Sequence, residues 1–109
     1  ISGGENIYPQ EIIDVLMELQ EDIAEVAIYG LPDPLWGEKV WASVVLQEGS
    51  TLTDKDLRDY CKKHLANYKV PKGFEFVKSL PRNTAGKVLT KLAAKEADQR
   101  LQRRAPLEK

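Results

Sequence analysis

The segment Pro81-Arg82-Asn83-Thr84-Ala85-Gly86-Lys87 combines a proline, a polar turn and a Gly-Lys pair. A Gly-Lys ending invites a phosphate-loop reading. Such a loop needs a glycine where Pro81 stands and a Ser or Thr where Val88 stands, so that reading fails. What remains is Lys87, held near the start of a helix on a tight Ala85-Gly86 turn. A lysine so placed can set a point charge against a carboxylate or phosphate supplied from elsewhere. On its own it reads as readily as a surface lysine after a glycine turn. Gly3 and Gly4 form a second candidate, because paired glycines let a backbone come close to a ligand, although a simple turn explains them too. Trp36, in a loop after two prolines, can stack on a ligand or pack in the core. Tyr68 with Lys69 and Lys72 offers an aromatic face beside two cations, or a solvated loop.

No catalytic dyad accompanies these residues. The serines have only His64 as a possible base, and His64 adjoins the inward face of a helix. Cys61 falls on that inward face and reads as an inert apolar side chain. One cysteine excludes an internal disulfide framework, and one histidine leaves no cluster for a structural zinc site. The chemistry-bearing residues therefore look like part of a site, with the remainder elsewhere.

The elements that position them follow from periodicity. Pro9 suits a first helical turn, and Ile12, Ile13, Val15, Leu16 and Leu19 place an apolar stripe on a helix to about Gln20. Alternation through Val26 and Ile28 predicts a strand stopping at Gly30, with Leu31-Pro32-Asp33-Pro34 as the turn. A second strand is expected from about Lys39 to Leu46. Thr53 reads as a helix N-cap with Asp56 three residues on, and Leu57, Tyr60, Cys61 and Leu65 face inward. Residues 67–73 read as a loop, and Phe74 and Phe76 alternate with Glu75 in a short third strand. A last helix is expected from about Val88 to Leu101, inward through Leu89, Leu92, Ala93 and Ala97. The order implies an α+β domain with a small sheet of about three strands covered by helices.

The 109 residues make one domain, large enough to bury roughly two-thirds of its unfolded surface without staples. With 42% hydrophobic and 30% charged residues the composition is that of a globular domain and argues against disorder. The net charge of −1 hides an asymmetry: residues 1–61 carry thirteen acids and three bases, residues 62–109 thirteen bases and four acids. A basic half can attract phosphates. Lys62, Lys63, Lys91 and Lys95 read as solvated helix faces, and the overall balance argues against a nucleic-acid partner. No apolar run has the length of a membrane span. Met17 is the sole methionine, so the chain is expected to be a piece of a longer protein.

Taken in order, Ile1-Ser2-Gly3-Gly4-Glu5-Asn6-Ile7-Tyr8-Pro9, Gly30-Leu31-Pro32-Asp33 with Trp36-Gly37-Glu38, Tyr68-Lys69-Val70-Pro71, and Leu80-Pro81 to Lys87 resemble the C-terminal domain of acyl-CoA synthetases. These fatty-acyl and aryl CoA ligases belong to the adenylate-forming superfamily. The resemblance covers about residues 1–95. It implies an ATP-dependent activation of a carboxylic acid to an acyl-adenylate, then displacement of AMP by the thiol of CoA. It further implies a mobile domain that turns between the two steps. Lys87 matches the family's adenylation lysine. Gly3 and Gly4 match the loop bordering the pantetheine tunnel, and Trp36 a tryptophan lining it. Tyr68, Lys69 and Lys72 lie where some relatives hold the CoA nucleotide, although Val70 stands where those relatives carry an arginine.

The implied ligands are ATP and CoA, with Mg2+ accompanying ATP outside this chain. The implied partner is the protein's own N-terminal adenylation domain. The expected organisation is a C-terminal domain over residues 1–102 and a basic disordered tail over 103–109. A cytoplasmic setting is expected from the supply of ATP and CoA and the lone cysteine. By itself this piece is expected to be inactive. Two alternatives remain: an adenylating enzyme that loads a carrier protein's phosphopantetheine, and a free-standing non-catalytic binding domain.

Overall fold

The computed structural model describes residues 7–104. Pro9 occupies the first turn of helix α1 (Pro9–Leu16), which tightens into a 3-10 turn at Met17–Leu19. Strand β1 (Ile23–Asp33) turns back into β2 (Gly37–Leu46), and helix α2 (Asp54–His64) then carries the chain to β3 (Gly73–Phe76). Helix α3 (Thr90–Arg104) closes the described chain. The three strands make one sheet in the order β1-β2-β3, the first pair antiparallel and the second parallel. A parallel neighbour requires a crossover, and α2 supplies it. The α+β expectation holds, with helices on both faces of the sheet.

One face packs Ile28, Val40, Ala42, Val44 and Phe74 beneath Ile12 and Leu16 of α1 and Leu57 and Cys61 of α2. The other packs Ala27, Tyr29 and Leu31 beneath Ala93 and Ala97 of α3. Strand β2 is covered on both faces, which is why it carries an almost unbroken apolar run. A bulge between Ile23 and Glu25 shifts the ladder. It lets Ile23 and Val26, an odd number of residues apart, share the face under α1 and α2. Glu25, in step with Ala27 and Tyr29, stands on the opposite face, where α3 lies.

Helix α2 begins with a complete capping box. The Asp56 amide donates to Thr53 Oγ1 at 3.2 Å, and the Thr53 amide donates to Asp56 Oδ2 at 2.9 Å. Lys62, Lys63, Lys91 and Lys95 are exposed, as their helix positions imply.

Three boundaries differ from the sequence expectation. Strand β1 continues past Gly30 through Asp33, so the turn is confined to Pro34-Leu35-Trp36. β1 is an edge strand, where a proline such as Pro32 is tolerated because its missing N–H can face away from the ladder. Helix α3 starts at Thr90, not Val88, because Val88 pairs with Arg82 in a short antiparallel bridge. It continues to Arg104, and residues 105–109 lie outside the described residues. Within α3, Leu92 is 40% exposed and not inward, while the small residues Ala93 and Ala97 allow the helix to sit close on β1.

Gly73 must be glycine for a reason invisible along the chain. A Cβ there would stand 2.2 Å from the Trp41 ring, which lies across the glycine from the neighbouring strand. Gly73→Ala therefore has to push that ring out of place, and overpacking of this kind costs roughly 1–3 kcal/mol. The urea midpoint should fall accordingly; an unchanged midpoint would show that Trp41 does not need that space.

Candidate functional site

The Lys87 segment is a hairpin built on Asn83. Arg82 and Val88 pair across its base, and the Leu89 amide donates to the Pro81 carbonyl at 2.8 Å. The Asn83 amide donates to the Lys87 carbonyl at 3.0 Å, and the Gly86 amide to the Asn83 carbonyl at 3.0 Å. The Asn83 side-chain Oδ1 accepts the amides of Ala85 at 2.9 Å and Lys87 at 3.0 Å. Gly86 completes the turn with φ 84°, a backbone geometry that favours glycine. Arg82 reaches across the loop, donating to the Gly86 carbonyl at 2.7 Å and pairing with Glu25 on β1. Lys87 emerges from this frame exposed, and among the described residues it has no ion-pair partner. A cation fixed at its backbone and free at its tip is suited to meet an anion brought from outside the domain.

A second group lies at the other end of the β1–β2 ladder. Asp33 Oδ1 accepts the amides of Leu35 at 2.8 Å and Trp36 at 2.9 Å, and Gly37 closes the tip with φ 81°. Those two amides hold the Asp33 carboxyl below its ordinary range, and the nearby charges of Lys39 and Lys72 add to the effect. The tip thereby presents Leu35, 84% exposed, and Trp36, 73% exposed, to solvent. Lys72 belongs to the same end, its amide donating to the Val40 carbonyl at 2.8 Å while its side chain is exposed. Tyr68, on a 3-10 turn at Asn67–Lys69, is 44% exposed.

Lys69 is differently placed from its neighbours. Its Nζ bonds Glu11 Oε1 on α1 at 2.8 Å and lies 5.7 Å from the Tyr68 ring. The hydrogen bond to Glu11 raises its pKa and commits the cation to tying the turn to α1. Val70 is buried beside it, filling the core. Gly3 and Gly4 lie outside the described residues.

The candidate residues do not converge on one cleft. Glu25, which anchors the Lys87 loop, and Asp33, which anchors the Trp36 tip, stand at opposite ends of β1. Eight residues of strand separate them, about 26 Å at roughly 3.3 Å per residue. A molecule 36 × 31 × 31 Å across thus carries its two candidate groups far apart. A groove of about 620 Å³ does run beside α3, but Trp41, Glu75, Val77 and Arg100 line it and none of the candidate residues does. Two of the charges that line it, Arg100 and Glu75, are committed to each other through two bonds of 2.9 and 2.6 Å.

Sequence reasoning named the lysine and missed its frame. The Asn-x-x-Gly spacing of Asn83 and Gly86 carries a turn signal that could have identified Asn83 as the organiser. Nothing local marks Glu25, whose partner Arg82 lies on the far side of the chain. Ser43, one of the serines without a base, is buried and shares a 2.5 Å hydrogen bond with Tyr29 beneath α3. His64 stacks against Tyr60 at 4.3 Å, away from any serine partner. Among the described residues no cluster of three or more His, Cys, Asp or Glu could hold a metal ion. No helix there is long and apolar enough to cross a membrane.

The fold and the exposed-lysine hairpin define a small α+β module that presents a charged loop at its surface. The chain belongs to the family described as the AMP-binding enzyme C-terminal domain, whose model matches residues 11–87. It is 46% identical over 96 residues to a substituted propanoyl:CoA ligase of Rhodococcus jostii, covering 88% of this chain and 18% of that protein. It is 43% identical to a long-chain-fatty-acid–CoA ligase of Mycobacterium tuberculosis, covering 82% of this chain and 17% of the relative. Among solved structures, ATP-bound MatB from Rhodopseudomonas palustris superposes with a TM-score of 0.85 at 35% identity, covering 90% of this chain and 19% of that one. The chain thus spans under a fifth of the length of these relatives, and its kin are acyl-CoA ligases of the adenylate-forming kind.

Cys61 is fully buried, and burial pushes its thiol pKa up to about 11. Reaction of the folded chain with an aromatic disulfide reagent at pH 8 should be negligible, with one thiol appearing on unfolding in guanidinium. Rapid labelling of the folded chain would contradict the buried placement.

Proposed function

We propose that this chain is the mobile C-terminal domain of an acyl-CoA ligase, and that Lys87 serves the first of two half-reactions. In that step a carboxylate oxygen forms a bond to the α-phosphorus of ATP. The bond from that phosphorus to the bridging oxygen breaks, and pyrophosphate leaves with Mg2+ held outside this chain. Lys87 would lie between the attacking carboxylate and the α-phosphate, offsetting negative charge as the transition state forms. The observation that carries this reading is an exposed ammonium with no ion pair among the described residues, on a backbone locked by Asn83.

The second half-reaction joins the CoA sulfur to the acyl carbon while the bond to AMP breaks. For this step the opposite end of the sheet is the candidate. The face of Tyr68 suits an adenine ring and Lys72 suits the nucleotide's phosphates, while Trp36 would line the pantetheine tunnel. Lys69, tied to Glu11, would support Tyr68 without itself reaching the ligand. Gly3 and Gly4 would border the pantetheine arm, where a side chain would obstruct passage. A domain that turns between steps would present each end of β1 in its own half-reaction. The preceding adenylation domain would supply the acyl and nucleotide pockets, in the cytoplasm where ATP and CoA are available.

Two variants of the full-length enzyme test this. Lys87→Ala should slow pyrophosphate release by about 10²–10³-fold, in the range for loss of one preorganised charge donor. It should leave conversion of supplied acyl-adenylate to thioester intact. Equal survival of both half-reactions would overturn the Lys87 assignment. Tyr68→Ala with Lys72→Glu should raise the KM for CoA several-fold and spare pyrophosphate release. An unchanged KM would point instead to a carrier protein's phosphopantetheine as the acceptor.

A further inference from the structure

The hairpin does more than expose Lys87. Both backbone polar groups of Lys87 are bound to Asn83: the amide to the side-chain Oδ1 and the carbonyl to the main-chain amide. The carbonyl of the preceding Gly86 is bound to Arg82. Arg82 is in turn paired with Glu25, which stands on a strand of the sheet outside the loop. The chain of contacts Glu25–Arg82–Gly86–Lys87 therefore runs from the rigid sheet to the backbone of the functional lysine. The base of the hairpin is held by Leu80 and Val88 packing on the core beneath α3 and by the pairing of Arg82 with Val88, whereas this chain of contacts reaches the turn that carries Lys87.

We propose that Arg82 and Asn83 are positioning residues for Lys87, and that Glu25 anchors them to the sheet. This rests on the reading of Lys87 as the residue of the first half-reaction. A lysine side chain has four rotatable carbons between backbone and charge, so its tip is placed only as well as its Cα. Misplacement of a catalytic group by about 1 Å can cost on the order of 100-fold in rate. The tether acts only where Lys87 acts. It has no part in thioester formation, for which the opposite end of β1 is the candidate.

The test uses the full-length enzyme with the two half-reactions assayed separately. Asn83→Ala and Arg82→Ala should each lower kcat for pyrophosphate release by about 10- to 100-fold. The KM values for ATP and the acid should change little, and turnover of supplied acyl-adenylate with CoA should stay at the wild-type rate. Glu25→Arg should show the same split. Combining it with Arg82→Glu re-forms the ion pair but not the bond to the Gly86 carbonyl, so part of the lost rate should return. Equal losses in both half-reactions would mean that these residues serve folding alone, and the inference falls. Wild-type pyrophosphate release in Asn83→Ala and Arg82→Ala, with Lys87→Ala inactive, would overturn the positioning role but leave Lys87 in place. If Lys87→Ala itself releases pyrophosphate normally, the reading beneath the inference fails first.

Discussion

The ladder between β1 and β2 is the constraint from which the rest of this domain hangs. It runs from Ile23 opposite Leu46 to Asp33 opposite Gly37, and each end carries one of the two candidate groups. At the near end Glu25 stands on the α3 face, in step with Ala27 and Tyr29, and holds Arg82 and the lysine hairpin. At the far end Asp33 gathers two amides and sets the exposed Trp36 tip. Strand length thus becomes a distance between two sites. The ladder is stiff because β2 is buried on both faces and held by a parallel neighbour as well.

The polar interactions divide by the work they do. The Glu75–Arg100 clasp and the Tyr29–Ser43 bond settle the face beneath α3, and the Lys69–Glu11 pair ties the Tyr68 turn to α1. Each satisfies a charge or hydroxyl within the domain and leaves it unavailable for a ligand. Lys87 and Lys72 are different, since no ion pair among the described residues claims either. Lys62 and Lys63 on α2 and Lys91 and Lys95 on α3 also make no ion pair among the described residues, but they project from helix faces and lack a frame like that around Lys87.

Much of this architecture was legible in the residues. Periodicity placed all three helices and three strands, and Thr53 with Asp56 announced the capping box that the structure contains. The late start of α3 has a local cause, the pairing of Val88 with Arg82, but other misses depend on neighbours distant in sequence. Pro32 reads as a turn until β1 is known to be an edge strand. Leu92 reads as core until two alanines are seen to hold α3 close to β1. The sequence could not show that Lys69 is spoken for, since Glu11 lies 58 residues away. Nor could it show why Gly73 is glycine, because the Trp41 ring reaches it from another strand. Gly3 and Gly4, central to the resemblance, lie outside the described residues and rest on the motif alone.

The claim that joins these observations is that the two ends of β1 act in turn, with the domain rotating between them. The most direct measurement is a pulsed EPR distance in the full-length enzyme. One spin label would sit at exposed Lys95→Cys on α3 and another on the preceding domain, the native Cys61 being buried and inert. The distance should take one value with ATP and a carboxylate substrate. It should shift to a second with a non-reactive acyl-adenylate analogue and CoA. A single unchanged distribution under both conditions would contradict the account.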